Sequence, residues 1–340
     1  MVSSNCKKEW STDSIPDLTG RVAIVTGGNT GLGFVTVREL ARKGAHVYML
    51  SRTESRALEA IEKIKEELGP DLTPNIDYIN FNLLKISSAK GAAEEFLKRE
   101  TRLDILVNNA GVMATPYEIG PDGIEIQACN GIGHFALTVP LLPLLKETAA
   151  KPDSHVRIVN VSSIGYTFAR SPDFSSLEAV NQKGRTTMGR YGVSKLMAIL
   201  FTNELQKRID ESGTKNIFCL SLHPGAASTG VMSNLLQSRP MLAPLVPIAS
   251  LLWKTPLQGA LTQLYAATSP EVEEKNLRAA YLVPIAKTEA KNTLAEDKDG
   301  KLGVQFWDLY SDGNLAPLSG SAPNVDYLHR PLVPDLVWKV

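Results

Sequence analysis

The stretch RVAIVTGGNTGLG, residues 21–33, decides the fold. Its apolar first part predicts a buried strand over Arg21 to Val25, and a helix is predicted to follow from Phe34 to Lys43. The glycines between them let the backbone approach a phosphate, whose charge the helix N-terminus favours. The spacing Gly-x-x-x-Gly-x-Gly therefore predicts a dinucleotide-binding turn, with a plain strand-to-helix turn as the alternative. Its predicted contact residues are Gly27, Asn29, Thr30, Gly31, Leu32 and Gly33.

Short apolar strands alternate with helices along most of the chain. Further strands are predicted over His46–Leu50, Asp77–Phe81, Asp104–Val107, Val156–Val161, Ile217–Leu222 and Tyr281–Val283, and further helices over 56–68, 88–100, 133–145 and 191–211. This alternation predicts an α/β fold, a doubly wound parallel sheet (Rossmann-like) with helices on both faces. Since no interior linker divides the chain, we expect a single domain over residues 1–340. Its expected parts are a core over 18–230, a substrate lid over 225–258, and C-terminal helices, a last strand and a tail over 259–340.

Composition and charge exclude several classes of protein. The 340 residues include 36 basic and 36 acidic side chains, which argues against a nucleic-acid partner. The 3 cysteines are widely spaced, so the sequence predicts neither a metal site nor a disulfide framework. The N-terminus has no signal-peptide apolar region, and the apolar run Met241 to Trp253 contains two prolines and is too short to span a bilayer. We therefore expect a cytoplasmic protein without a membrane span.

Tyr191 and Lys195 lie one helical turn apart in the predicted helix. A nearby ammonium favours phenolate, so this spacing predicts a lowered phenol pKa, as a proton donor to a developing alkoxide needs. Ser163 ends a strand, from which its hydroxyl can donate to a carbonyl oxygen, and Ser162 is expected to point to the other side. Each signal is weak alone, because such pairs and strand-terminal serines also occur for structural reasons. Their order after the glycine turn is the order that a hydride-transfer enzyme needs.

The ends of the second and fourth strands carry further candidates for cofactor binding. Ser51 and Arg52 stand where an adenosine ribose is expected, and no acid is present there to repel a 2′-phosphate. The guanidinium of Arg52 therefore predicts NADP(H) rather than NAD(H), with a solvated surface arginine as the alternative. The fourth strand ends in Asn109, Ala110 and Gly111, either at the ligand edge of the sheet or in an ordinary turn.

These motifs resemble the short-chain dehydrogenase/reductase family over about residues 18 to 230, and most closely its retinol-dehydrogenase-like and fungal oxidoreductase branch. The resemblance implies a catalytic tetrad of Asn130, Ser163, Tyr191 and Lys195. It also implies that Lys195 binds the nicotinamide ribose and that Asn130 supports a water-linked proton relay. Further implied cofactor contacts are Asn82, Leu83, Pro224, Gly225 and Thr229. The chain departs from the family pattern at Asn82, where aspartate is usual, and in the residues that follow Asn130.

The sequence thus predicts an NADP(H)-dependent oxidoreductase that transfers a hydride between NADPH/NADP+ and the carbonyl or alcohol carbon of a small lipophilic substrate. The lipophilic substrate depends on the segment Met241 to Trp253, which is read as a lid, as core or as a membrane-surface patch. The family branch also suggests a tailoring role in secondary metabolism. The alternatives are a catalytically silent NADP(H)-binding regulator or scaffold, and a nucleotide-sugar epimerase or dehydratase. Both a monomer and a homodimer are compatible with the sequence.

Overall fold

One eight-stranded sheet organises the protein, in a computed structural model that describes residues 9–225 and 255–311. The strand order is β3-β2-β1-β4-β5-β6-β7-β8. The strands are β1 Val22–Thr26, β2 His46–Ser51, β3 Ile76–Asn80, β4 Ile105–Asn108, β5 Val156–Val161, β6 Ile217–Leu222, β7 Tyr281–Val283 and β8 Lys287–Thr288. The first seven run parallel, and β8 pairs antiparallel with β7. The predicted doubly wound parallel sheet is therefore confirmed, and the short β8 is an addition to it.

Helices connect the strands and cover both faces of the sheet. They are α1 Gly31–Arg42, α2 Glu54–Leu68, α3 Ile86–Arg99, α4 Cys129–Ala149, α5 Leu177–Val180, α6 Thr187–Glu211, α7 Pro256–Thr268, α8 Glu271–Glu274, α9 Thr293–Glu296 and α10 Lys301–Ser311. A 3₁₀ turn over Ile164–Phe168 follows β5. No helix within the described ranges has the length and hydropathy that a membrane crossing requires.

The apolar core forms two layers, one on each side of the sheet. In β1, Ile24 belongs to the layer under α3, α4, α6 and α10, whereas Ala23 and Val25 belong to the layer under α1, α2 and α7. This alternation follows from the period of two in a strand. The central strands β1, β4, β5 and β6 are buried along their whole length, because helices cover both faces of the sheet there, and their mainly apolar runs are therefore clear in the sequence.

The strand order reverses between the neighbouring strands β1 and β4. From β1 the sheet continues through β2 and β3 on one side, and from β4 it continues through β5, β6 and β7 on the other. In open α/β sheets, ligands bind outside the carboxyl ends of the strands at such a reversal. The glycine turn follows β1, and Asn109 follows β4. The topology therefore places these two sequence motifs on either side of one crevice.

The helices begin earlier than the sequence predicts, and the difference is largest for α4 and α6. Helix α4 starts at Cys129 rather than Gly133, and α6 starts at Thr187 rather than Tyr191. The hydroxyl of Thr186 caps α6 by accepting a hydrogen bond from the backbone N–H of Gly189 at 3.0 Å. The apolar pattern begins only after these first turns, which is why it marks the helix starts too late.

Candidate active site

The glycine turn joins β1 to α1. Gly27 and Gly31 have φ angles of 65° and 57°, in the left-handed region that glycine adopts without strain. A Cβ on Gly33 would lie 2.2 Å from the carbonyl oxygen of Gly27, so only glycine allows this close packing. Asn29, Thr30 and Gly31 line a cavity of about 820 Å³ beside the turn. The open turn at the start of α1 fits the pyrophosphate of a dinucleotide.

Asn109 and Ala110 brace this turn from the end of β4. The backbone N–H groups of both residues donate to the hydroxyl of Thr26 at 2.9 Å. The side-chain amide of Asn109 also donates to the carbonyl of Thr26 at 2.8 Å. A Cβ on Gly111 would lie 3.5 Å from Nζ of Lys195, so this glycine adjoins the amine. The Asn-Ala-Gly segment therefore lies between the glycine turn and Lys195, and its asparagine supports the turn.

The end of β2 carries polar groups that lack protein partners. The hydroxyl of Ser51 is buried and has no hydrogen-bond partner in the described part of the chain. Arg52 is exposed, and no carboxylate within residues 9–225 and 255–311 forms an ion pair with it. The other two predicted contacts follow the neighbouring strand β3. There the side-chain oxygen of Asn82 accepts from the backbone N–H of Leu84 at 3.1 Å, and Leu83 is buried. An orphan hydroxyl and an unpaired guanidinium fit the ribose and phosphate groups of a dinucleotide.

Ser163, Tyr191 and Lys195 meet at the carboxyl end of β5. The Ser163 hydroxyl lies on the same side of Gly165 as the Tyr191 ring and accepts from the backbone N–H of Gly165 at 3.0 Å. Nζ of Lys195 donates to the carbonyl of Val161 at 2.8 Å and lies 5.8 Å from the centre of the Tyr191 ring. The Ser162 hydroxyl instead donates to the carbonyl of Lys195 at 2.7 Å, away from this pair. The arrangement can polarise a carbonyl oxygen and deliver a proton to it.

The pKa of Tyr191 differs from the sequence-based expectation. Burial raises the pKa of the phenol above its usual value, and the neighbouring Ser163 hydroxyl opposes this shift only in part. Burial also lowers the pKa of Lys195 to about 8. The ammonium lies beside the ring and is engaged by the Val161 carbonyl. One-turn spacing therefore brings the two groups together, but the direction of the phenol pKa shift is set by desolvation.

Asn130 connects the loop after β4 to helix α6. Its side-chain oxygen accepts from the N–H of Val112 at 2.8 Å, and its amide donates to the carbonyl of Val112 at 2.8 Å. The amide also donates to the hydroxyl of Ser194 at 3.0 Å. Asn130 thus braces the site, and a relay water would have to compete with these protein partners.

His134 is a buried link between α4 and β1. Nδ1 lies 2.8 Å from the carbonyl oxygen of Asn130, and Nε2 lies 2.9 Å from the Thr26 hydroxyl. Since a carbonyl only accepts, the hydrogen-bond network assigns the proton to Nδ1. Burial lowers the pKa of His134 to about 3, so the ring is neutral near pH 7. His134 therefore acts as a fixed hydrogen-bonding bridge rather than as an acid.

The structure also brings in residues that the sequence motifs did not indicate. A Cβ on Gly165 would lie 2.8 Å from Cε1 of Tyr191, so this glycine makes room for the tyrosine ring. Gln263 of α7 is buried, and its amide donates to the hydroxyl of Thr36, behind the glycine turn. Only the position of Gly165 two residues after Ser163 could have drawn attention to it. Nothing in the sequence connects Gln263 with Thr36 across more than two hundred residues.

Some predicted site residues fall at or beyond the limit of the described chain. Pro224 and Gly225 follow β6, and Gly225 has a φ angle of 90°. Thr229 and nearly all of the predicted lid lie outside the described residues, as does the tail from Pro317.

The fold and the site define the class of nicotinamide-dependent oxidoreductases. The family model for short chain dehydrogenases matches residues 21–240. The chain is 42% identical over 282 residues to a short chain dehydrogenase/reductase of Colletotrichum higginsianum, covering 79% of this chain and 68% of the relative. It is 39% identical over 289 residues to an uncharacterized oxidoreductase of Schizosaccharomyces pombe, covering 82% and 81%.

A solved structure extends the likeness to most of the chain. The crystal structure of an uncharacterized protein from Mycobacterium paratuberculosis matches with a TM-score of 0.68 at 28% identity, covering 91% of this chain and 98% of that one. The chain therefore belongs to the short chain dehydrogenase family, whose oxidoreductases bind NAD(P) and act on CH–OH or C=O groups.

Proposed function

We propose that this protein is an NADP(H)-dependent oxidoreductase that interconverts a carbonyl group and an alcohol on a small lipophilic molecule. The observation that carries the proposal is the grouping of the Ser163 hydroxyl, the buried Tyr191 side chain and the buried amine of Lys195 at one place. This set stands at the carboxyl end of β5, on the sheet edge that also carries the glycine turn. A hydroxyl pair in this position serves an oxygen atom whose negative charge grows during reaction.

Each side chain has a separate task in the proposed reaction. Ser163 donates to the substrate oxygen and holds it, and Tyr191 transfers the proton to or from that oxygen. Lys195 keeps a positive charge in the buried site and binds the ribose next to the nicotinamide. The nicotinamide, when bound, supplies or accepts the hydride. Asn130 and His134 hold the surrounding backbone in place through the contacts described above.

The preference for NADP(H) is supported by the charge at the end of β2. Arg52 and Arg56 are both exposed, and neither forms an ion pair with a carboxylate in the described ranges. Arg56 also lines the cavity beside the glycine turn, together with Asn29 and Thr30. Two free guanidiniums near a ribose site favour a 2′-phosphate, which NADP(H) has and NAD(H) lacks.

Replacing Arg52 tests the cofactor preference. Arg52→Ala should weaken NADPH binding by roughly 1.5–3 kcal/mol, the scale of a hydrogen bond to a charged group, and leave NADH binding almost unchanged. Titration of both cofactors by fluorescence measures this difference. Arg99→Ala removes an exposed arginine from α3 and serves as the control for net charge. An equal loss of affinity for both cofactors in Arg52→Ala would show that Arg52 does not recognise the phosphate.

A lipophilic substrate is supported by the 3₁₀ turn that follows Ser163. Ile164 and Phe168 are 48% and 52% exposed, although large apolar side chains are usually buried. Ile164 directly follows Ser163 in the chain, so an apolar surface adjoins the proposed oxygen-binding hydroxyl. A substrate that covers these side chains removes apolar area from water, which favours binding.

Turnover separates an enzyme from a silent cofactor-binding protein. Purified protein with NADPH should oxidise the cofactor in the presence of aromatic or long-chain ketones, with the matching alcohols as products in mass spectrometry. Hydrophilic ketoses of similar size should react more slowly. Tight NADPH binding without reduction of any carbonyl compound across the panel would favour the regulator or scaffold instead.

A further inference from the structure

A buried ion pair stands next to the proposed catalytic residues and has no role in the chemistry described above. Nε of Arg190 lies 3.1 Å from Oε1 of Glu125. The two side chains are only 6% and 2% exposed, which makes this pair the most deeply buried among the ion pairs of the described residues. Arg190 precedes Tyr191 in the first turn of α6, and Glu125 lies just before α4, which carries Asn130.

Glu125 holds the start of α4. Its second oxygen accepts from the backbone N–H groups of Gln127 and Ala128, at 3.0 and 3.1 Å. These N–H groups lie immediately before α4, where Ala128 is the N-cap residue, and the helix offers no internal acceptors for them. The backbone N–H of Glu125 is in turn held by the side-chain oxygen of Asn181 at 2.8 Å. The carboxylate therefore fixes the segment from which α4 and Asn130 begin.

Arg190 holds two further segments. Its guanidinium donates to the carbonyl of Arg185 at 2.8 Å, before α6, and to the carbonyl of Thr115 at 3.2 Å, in the loop after β4. It also lies 5.5 Å from the centre of the Tyr117 ring. A planar guanidinium can hold such a set of acceptors at fixed angles, which an ammonium cannot. One side chain thus connects α6, the loop after β4 and Glu125.

Stability does not explain why charged groups occupy this place. Burial raises the pKa of Glu125, even though Arg190 and the two backbone N–H groups act in the opposite direction. The folded state therefore disfavours the ionised carboxylate relative to water. Buried ion pairs of this kind can often be replaced by apolar side chains at little cost in stability. The pair instead fixes the relative positions of the connected segments, because its hydrogen bonds are satisfied only in one arrangement of them.

We propose that the Glu125–Arg190 pair is a positioning device that sets the start of α4, with Asn130, against the first turn of α6, with Tyr191. Its role in turnover rests on the proposed function of Tyr191. Glu125 and Arg190 do not contact the reacting atoms, so they are positioning residues. They act through the backbone segments that hold Asn130 and Tyr191, and through the loop from Val112 to Tyr117.

A double-mutant cycle tests the proposal. Glu125→Gln, Arg190→Met and the double variant are compared in kcat, in KM for the carbonyl substrate and in Kd for NADPH. Each single variant should lower kcat by about 10-fold or more, since small misplacements of catalytic groups have effects of this size. The Kd for NADPH should stay within about threefold, and the double variant should fall within about threefold of the weaker single variant, because coupled residues are not additive.

Arg208→Met is the matched control. Arg208 also lies on α6 and pairs with Glu204 at 2.7 Å, but it is 30% exposed and far along the helix from Tyr191. The Arg208→Met variant should leave kcat unchanged. Additive losses in the double variant, or unchanged kcat in folded single variants, would overturn the positioning role. Glu125→Gln keeps the shape and the acceptor oxygen of the side chain, so it provides a folded variant if Arg190→Met does not fold.

A second measurement does not depend on activity. The backbone N–H of Val112 is held by Asn130, and that of Ala114 by the side chain of Gln127 at 3.1 Å. Hydrogen exchange at these two amides should be faster in Glu125→Gln and Arg190→Met than in the wild type, and unchanged in Arg208→Met. Unchanged exchange in the pair variants would overturn the proposal. Faster exchange in a protein without turnover would support the positioning device and contradict the proposed function.

Discussion

At the scale of single residues, the candidate site combines a neutral phenol with a strongly desolvated amine. Burial raises the pKa of Tyr191 and lowers that of Lys195 to about 8. Near pH 7 the phenol is therefore neutral, whereas the amine still carries its proton, because its pKa of about 8 lies above that pH. A bound substrate oxygen that gains negative charge would find a donor whose proton is still present near pH 7. The expectation of a lowered phenol pKa from spacing alone was wrong because it left desolvation out.

Lys195, to which we assign a catalytic role, should lower the stability of the folded protein. A buried lysine with a folded pKa of about 8, below the usual 10.5, carries its desolvation cost wherever it is charged, that is, below pH 8. At pH 7, the free energy of unfolding of Lys195→Met should therefore be about 1–2 kcal/mol higher than that of the wild type. This range allows for the loss of the hydrogen bond from Lys195 to the Val161 carbonyl. The turnover and NADPH affinity of the variant should both fall.

The stability difference between Lys195→Met and the wild type should depend on pH. Between pH 8 and 10.5 the unfolded chain binds more protons than the folded one, so the stability contribution of the wild-type lysine improves as pH rises. Urea unfolding should show the advantage of Lys195→Met shrinking across this window. A methionine variant that is less stable than the wild type at pH 7 would contradict the account.

At the scale of elements, prediction from sequence worked where a pattern is local. The strands are mostly short apolar runs bounded by glycine and polar residues, and the glycine turn directly follows one of them. The observed strand bounds lie within a few positions of the predicted ones. The starts of α4 and α6 were predicted too late, because Glu125 and Thr186 hold these turns by hydrogen bonds that leave no apolar repeat. The Glu125–Arg190 pair spans 65 positions, and no local rule connects such residues.

The 3₁₀ turn after β5 gives a prediction at this scale. Gly165→Ala places a Cβ 2.8 Å from the ring of Tyr191, so the ring or the turn must move. Turnover should fall by about 10-fold or more, with NADPH affinity within about threefold of the wild type. Steady-state kinetics and cofactor titration measure the two effects.

Gly91→Ala is the control for the extra methyl group. Gly91 lies on α3 with no atom within 4 Å of the added Cβ, so this change should leave turnover intact and stabilise the helix by up to about 1 kcal/mol. Equal turnover in Gly165→Ala and Gly91→Ala would show that the tyrosine ring tolerates displacement.

At the scale of the whole molecule, function follows from where the sheet reverses its strand order. The reversal between β1 and β4 brings the glycine turn next to Asn109, and the neighbouring β5 carries Ser163 toward Tyr191. Sequence motifs separated by more than 150 residues thus meet on one edge of one sheet. The order of the motifs was readable from the sequence, whereas contacts such as Thr26 with His134 depend on the assembled layers.

The most direct test of the central claim is the turnover of Tyr191→Phe with NADPH and a carbonyl substrate that the wild type reduces. Phenylalanine keeps the buried ring and its packing but removes the phenol hydroxyl. We expect turnover to fall by at least about 10²-fold, the usual scale for losing a general acid, while the Kd for NADPH stays within about threefold. Near-wild-type turnover in a folded variant that binds NADPH would contradict the role of Tyr191 as the proton donor.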